Sequence, residues 1–346
     1  MKSYNHLWHK FISFNNLYRA YLLAKKAKPR SFEIRKYFFN YEKELFQLQR
    51  ALVKGDYNLS KYTSFKIYKP KERIIKYVDF KDRVLHHAVI NVIEPIFDQS
   101  FIFDSYACRK KKGTHLAMKR LKVIIQSKNP PRYYLKCDIK KYFPNIDQEI
   151  LKNIISKKIK DKRLVNIIYK IIESDHSEFG EHKGIPIGNL TSQLFANIYL
   201  NQLDQYIKQK LKIKYYFRYV DDLLIFSNTK KELQIYKSKI RKFLKKELYL
   251  EMPKTKTRMG LLKTGVDFVG YQIYPEYIRV RKSNLRNFLK RTKSRIKSNS
   301  NNFLIESSIN SWLGYSLHAN TRKLNTTIFE TNFKEYNYLL EGHVRL

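Results

Sequence analysis

The stretch Tyr215-Tyr216-Phe217-Arg218-Tyr219-Val220-Asp221-Asp222-Leu223-Leu224-Ile225-Phe226 sets two adjacent acids between two apolar runs of strand length. Two such runs separated by two residues have hairpin spacing. Tight two-residue turns favour Asn-Gly or Asp-Gly because both central residues take φ > 0, so Asp221-Asp222 is a poor turn choice, and adjacent carboxylates held by apolar flanks repel one another. Two readings are open at this point: a solvated turn carrying two surface acids, or a pair whose repulsion a divalent cation relieves. Hard Mg2+ suits the second, because it accepts a few carboxylate oxygens and keeps its other positions for water and phosphates.

Asp138 is a third acid of the same kind. It follows Tyr133-Tyr134-Leu135-Lys136-Cys137 and precedes Ile139, at the end of a predicted strand. Alone it reads as a partner of Lys136 or Lys140. Taken with Asp221 and Asp222 it forms a set of strand-end carboxylates able to converge on two metal ions about 3.5–4 Å apart, the arrangement used for in-line phosphoryl displacement.

Further out, apolar spacings of 3 and 4 predict two helices between Asn16 and Lys54, with Pro29 and Ser31 between them, and Gly55-Asp56 ends the second. Tyr62 to Phe80 alternates around Lys69-Pro70-Lys71-Glu72, which predicts a hairpin with a charged turn. Asp82 to Phe97 is helical in period and expected to stop near Pro95, and Gln193 to Lys210 is a further helix. Beyond Tyr274-Pro275 the charge density rises, with a basic helix over Lys282 to Lys297, a polar linker at Ser298 to Asn302, and a helix from Phe303 to about Leu324. Strands and helices mix without regular βαβ alternation, which predicts an α+β class. The expected division is a helical extension over 1–60, a central body over 61–275 and a basic helical region over 276–346.

The chain has 346 residues, with 70 Lys+Arg against 30 Asp+Glu, a formal net charge of +40. Such an excess calls for a polyanionic partner. A hydrophobic content of 43% with 27 Tyr and 22 Phe supports a real core, which excludes a disordered basic tail. Cys108 and Cys137 are too few for a disulfide scaffold and fit a reducing compartment. The N-terminus lacks the apolar run of a signal peptide, and no apolar stretch approaches the about 18 residues of a membrane span, so a cytoplasmic protein without a membrane partner is expected. The basic runs Arg109-Lys110-Lys111-Lys112, Lys157 to Arg163 and Lys282 to Lys297 would together line an electrostatic cleft. His86, His87, His115 and His318 lack metal-ligand spacing, and Trp312 in Trp312-Leu313-Gly314-Tyr315 is read as core.

Tyr219-Val220-Asp221-Asp222 resembles the Tyr-x-Asp-Asp box of reverse transcriptases, and Asp138-Ile139-Lys140-Lys141-Tyr142-Phe143 resembles their first aspartate motif. Gly184-Ile185-Pro186-Ile187-Gly188-Asn189-Leu190-Thr191-Ser192-Gln193 resembles the motif between them, and Gly265-Val266-Asp267-Phe268-Val269-Gly270-Tyr271 the primer-grip hairpin. The four-letter box alone is weak, whereas the ordered set is specific, and the similarity runs from about Leu17 to Leu324. It implies a right-hand polymerase of fingers and palm with a C-terminal helical thumb, RNA-templated DNA synthesis, and two Mg2+ ions with Mn2+ as substitute.

The same resemblance implies residue roles. Asp138, Asp221 and Asp222, with the Ile139 carbonyl, would hold the metals. Phe143 would be the aromatic gate against a ribose 2′-OH. Arg73, with Lys69 or Lys71, would reach the triphosphate, Arg109 would contact template or nucleotide, and Ile187, Gly188 and Gln193 would border the base pair. Lys256 is preferred over Lys254 as the acid that protonates pyrophosphate. Partners implied are template RNA, an RNA–DNA hybrid, deoxynucleoside triphosphates and a basic accessory protein oligomer.

One departure bears on subtype. Many relatives have Gln-Gly and Ser-Pro where this chain has Ile187-Gly188 and Ser192-Gln193, and the latter form resembles the enzymes of diversity-generating retroelements, which copy RNA with errors at adenines. A bacterial antiphage-defence reverse transcriptase is the alternative. Residues 223–346 are too few for the extra domains of a group II intron maturase, and the Ser-Gln ending disfavours a retron enzyme. A catalytically inactive nucleic-acid-binding protein is the reading from a different class.

Overall fold

The computed structural model describes residues 2–26, 32–68, 72–175 and 177–344. Lys69 and Lys71 of the expected charged turn lie outside the described residues. The N-terminal segment forms α1 (Trp8–Ile12), α2 (Phe14–Lys25), α3 (Phe32–Phe39) and α4 (Tyr41–Lys54), two helices more than the periodicity predicts. Gly55 ends α4 in the left-handed conformation at φ 80°, where a side chain would be strained. The hairpin expected next is present as β1 (Thr63–Ile67) paired antiparallel with β2 (Arg73–Tyr77).

Helix α5 (Phe80–Asp98) runs straight through Pro95 instead of stopping there. Twelve of its residues are buried, so tertiary packing on several sides outweighs the lost amide donor. Then follow α6 (Thr114–Ile125), β3 (Tyr133–Cys137), α7 (Gln148–Lys158) and α8 (Lys162–Glu173). Asp147 and Asp161 cap α7 and α8 through the amides of Ile150 and Leu164, and Asp161 also accepts the Trp8 amide at 2.8 Å, fastening the N-terminal segment to the body. Helix α9 (Leu190–Gln205) passes into one π-type turn over Tyr206–Lys210. Strands β4 (Tyr216–Tyr219) and β5 (Asp222–Ser227), helix α10 (Lys230–Glu247) and β6 (Arg258–Leu261) complete the centre.

The central sheet is antiparallel with order β4-β5-β3-β6. Side chains alternate across it. Leu135, Cys137, Leu223 and Ile225 enter a large core shared with α5, α9 and α10, whereas Tyr134, Leu224 and Phe226 enter a second core shared with α6 and the C-terminal elements.

Those elements are a three-stranded sheet β7 (Val266–Phe268), β8 (Tyr271–Ile273) and β9 (Ile278–Val280), followed by α11 (Lys282–Lys297), α12 (Asn302–Ser316), α13 (Arg322–Asn332) and α14 (Asn337–Val344). The boundary expected at 275 therefore falls inside a sheet, because β9 pairs with β8 across it. The expected linker at 298–302 is a tight helix connection: Ser298 caps α11, and the Asn301 side chain accepts the Phe303 amide at the start of α12. Trp312 is core, stacked on Phe288 at 4.7 Å, with its indole N–H donated to Asn325. His115 and His318, far apart in sequence, pack with ring centroids 3.6 Å apart where α6 meets the end of α12. Among the described residues no helix is long and apolar enough to cross a membrane.

Candidate active site

The acidic hairpin forms one residue earlier than the apolar runs suggest. Tyr219 pairs with Asp222, so the turn residues are Val220 and Asp221, and Asp222 is the first residue of β5. Val220 adopts φ 55°. A β-branched residue in the left-handed region is strained by about 1–3 kcal/mol and persists only where its surroundings over-determine it.

Those surroundings are visible below the turn. Arg218 is completely buried and forms a two-pronged ion pair with the equally buried Asp204, with Nε 2.9 Å from both oxygens and Nη2 2.7 Å from Oδ2. Its remaining guanidinium nitrogen donates to Asn197 Oδ1 at 2.9 Å and to the Val220 carbonyl at 3.2 Å. Tyr216 donates its hydroxyl to the same Asp204. A charge network on α9 and β4 thus holds the strained turn from beneath. The sequence reading missed it because partners fourteen positions apart, on two elements, leave no local pattern.

Asp138 follows β3 in the same alternation as Tyr134 and Lys136, and Asp222 in the same alternation as Leu224, so both acids belong to the sheet face turned away from α10. Burial pushes the Asp221 carboxyl up to about 6, and the neighbouring charges of Asp138 and Asp222 push in the same direction. Burial also raises Asp222, opposed by Lys136 and reinforced by Asp138. Asp221 thus senses the charges of Asp138 and Asp222, and Asp222 senses that of Asp138.

One cation reaches them directly. Lys256, on a 3-10 turn over Lys254–Lys256, places Nζ 2.7 Å from Asp138 Oδ1. Lys136 and Lys140, the partners first suggested for Asp138, instead pair with Asp267 and Glu251. Among the described residues no three acid, imidazole or thiol side chains stand close enough to cage a metal by themselves. The donor set nonetheless fits Mg2+, which binds through one or two carboxylates and completes its shell with water and substrate phosphates. The repulsion among the three acids is what such an ion relieves.

Three further segments are bonded to one another. Phe143 opens a 3-10 turn and is half-buried against Tyr142. Its carbonyl accepts the Ile185 amide at 3.2 Å, and Gly184 donates to the Ile146 carbonyl at 2.8 Å. The Lys76 amide of β2 donates to the Ile187 carbonyl at 2.9 Å. Gly188 lies at φ 125°, where an added Cβ would stand 2.6 Å from the Lys76 carbonyl, so only glycine fits this crossing. Hairpin, middle motif and Phe143 turn are thereby one unit, with Gln193 exposed in the first turn of α9. Arg73 is exposed at the start of β2, and Ile139 is buried immediately after Asp138.

Arg109 stands apart from that unit. Its side chain is 7% exposed, bonded to Asp98 at 2.6 Å and to the carbonyls of Ile102 and Ser105. It locks the loop after α5 and is not directed at a template or nucleotide. The hairpin β7–β8 turns at Val269-Gly270, and its Asp267 holds both Lys136 and Arg281.

A three-acid, antiparallel sheet flanked by a fingers-like hairpin and a helical thumb-like region defines a right-hand nucleic-acid polymerase. A profile of the family described as reverse transcriptase (RNA-dependent DNA polymerase) matches residues 60–273, and the chain belongs to that family of RNA-directed DNA polymerases. It is 24% identical over 272 residues to protein YkfC of Escherichia coli, covering 66% of this chain and 71% of that one. It is 35% identical over 140 residues to the group II intron-encoded protein LtrA of Lactococcus lactis, covering 39% of this chain but only 23% of LtrA. The structure of apo telomerase from Candida tropicalis superposes with a TM-score of 0.53 at 14% identity, over 83% of this chain and 62% of that one, which is a likeness of fold.

Proposed function

We propose that this chain copies an RNA template into DNA, extending a primer with deoxynucleoside triphosphates. The observation that carries the reading is the pair Asp138 and Asp222 on one face of the palm sheet with Asp221 in the adjoining turn, where Asp221 senses both neighbouring charges and Lys256 touches Asp138. Two divalent ions bound there would supply Lewis-acid activation of the primer hydroxyl and neutralisation of the phosphates. Lys256 would hold a proton for the departing pyrophosphate at Nζ. Phe143 would close the space beside a deoxyribose, Arg73 would meet the triphosphate, and Ile187, Gly188 and Gln193 would shape the base-pair side. Template RNA and the RNA–DNA hybrid would lie in the basic cleft.

Primer extension on poly(rA)–oligo(dT) tests this. Wild type should incorporate dTTP in a Mg2+-dependent manner, with Mn2+ substituting, and Asp222→Asn should lose at least about a hundredfold in rate while remaining folded. Incorporation by the variant at the wild-type rate overturns the role given to Asp222, and none by either protein overturns the reading in favour of an inactive binding protein.

Within this activity we infer mutagenic copying of the diversity-generating type, supported by Ile187-Gly188 and Ser192-Gln193. An apolar Ile187 offers no hydrogen bond beside the nucleotide, and selectivity falls where such a contact is missing. Ile187→Gln should lower misincorporation opposite template adenine, and an unchanged adenine error spectrum sinks this inference. The group II intron-type relatives favour a second reading, retrotransposition of an intron-like RNA. Sequencing the cDNA made in cells separates the two: adenine-directed substitutions support diversification, faithful copies of a structured intron support the second, and untemplated or repeat products support antiphage defence.

A further inference from the structure

Helix α10 carries eight Lys or Arg and two Glu in its eighteen residues, and it lies on the wrong side of the sheet to serve the cleft. Leu233, Ile240 and Leu244 bury it in the core beneath Leu135, Cys137, Leu223 and Ile225, the strand face opposite Asp222. Among the described residues no salt bridge engages a cation of this helix. Glu232 instead accepts the Ser227 hydroxyl at the helix start. Arg241 keeps a buried guanidinium nitrogen without a hydrogen-bond partner.

The outward row Lys231, Lys239, Lys242 and Lys246 is exposed. At the rise of a helix the row spans about 22 Å. Phe243 stacks on Tyr206 at 4.3 Å and so joins α10 to the neighbouring π-type turn, which carries the exposed Lys210. The only large hydrophobic side chain exposed on α10 is Ile235, so no aromatic platform is present for stacking unpaired bases.

We propose that this back face is a second nucleic-acid surface, which holds a double-stranded segment of RNA by its phosphates while the cleft works elsewhere on the molecule. Unpaired like charges in a row repel one another along the helix, and a polyanion relieves that repulsion by counterion release. Duplex RNA fits because it is recognised by shape and backbone rather than by splayed bases. The choice of RNA as occupant rests on the RNA-copying reading above.

The test compares wild type with the full chain carrying Lys239→Ala, Lys242→Ala and Lys246→Ala, exposed sites where alanine preserves the helix. Binding of a blunt RNA duplex without primer or nucleotide should weaken about tenfold at 0.1 M salt, and the slope of log K against log salt should become shallower by about one per lysine. Extension of poly(rA)–oligo(dT) should stay within twofold of wild type. Unchanged duplex affinity and slope overturn the proposal. So does a parallel loss of extension, which would make the row part of the cleft, or a loss confined to binding of phosphatidylserine vesicles. A chain that extends no primer yet shows lysine-dependent duplex binding removes the polymerase reading and leaves this surface standing.

Discussion

Lys256 and Lys254 stand two positions apart, yet only one touches an acid of the site. Lys256 Nζ is 2.7 Å from Asp138, and Lys254 has no such contact. Lys256→Ala should therefore lower kcat for nucleotide addition about 10²-fold or more with little change in KM, while Lys254→Ala stays near wild type, measured by single-nucleotide primer extension. Arg218 permits a sharper separation. Removing one partner of a buried ion pair costs about 3–5 kcal/mol, because the other charge is left without compensation. Arg218→Met should lose that much in urea unfolding, and adding Asp204→Leu should return most of it. Extension should remain impaired in the double variant, since the Val220 carbonyl still lacks its donor. At this scale the acids were legible because they are adjacent or follow a strand directly. The roles of Arg109 and Arg218 were not, because a sequence does not reveal which of 70 basic residues is turned inward.

Elements are positioned by a few crossings that admit no substitution. Gly188→Ala would press a methyl against the Lys76 carbonyl at a backbone φ of 125°, separating the fingers hairpin from the middle motif. A loss of about 1–3 kcal/mol in stability and a raised KM for dTTP are expected. The packing of α5 on α9 has its own signature. His86 is 2% exposed, with Nδ1 3.4 Å from Thr191 Oγ1 and Nε2 without a partner. Burial, helped by His87 and Arg83, pushes it down to about 3. The unfolded chain takes up this proton near pH 6.5 and the folded chain does not, so stability is full above about pH 6.5 and falls as pH drops toward 3. The loss from this residue should reach about 1.4 kcal/mol at pH 5.5. His86→Leu should about halve the fall of the urea midpoint between pH 7 and 5, because burial also pushes His87 down, to about 4, and its share remains. Hairpins and amphipathic helices were readable from periodicity, whereas α5 continuing through Pro95 was not, since burial on several sides overrides a local breaker. The one-residue shift of the acidic turn escaped for a related reason: Val220 belongs to an apolar run, and only Arg218 beneath it accounts for its place in the turn.

For the molecule as a whole, a charge of +40 makes nucleic-acid affinity a function of salt before anything else. Between 50 and 200 mM salt, binding of a template–primer should fall by about 10³–10⁵, as for about six to ten phosphate contacts, when followed by fluorescence anisotropy. A shift below tenfold would mean that most of these cations face no phosphate. The order of the central sheet has a consequence in time. Strand β3 carries Asp138 to its place, but it lies between β5 and β6, which are made about 90 and 125 residues later. At about 5–20 residues per second, a ribosome leaves that strand without either neighbour for on the order of ten seconds. The nascent chain therefore carries its first acid long before the sheet around it is complete, and a newly made copy stays silent toward its own messenger until about three quarters of it has emerged.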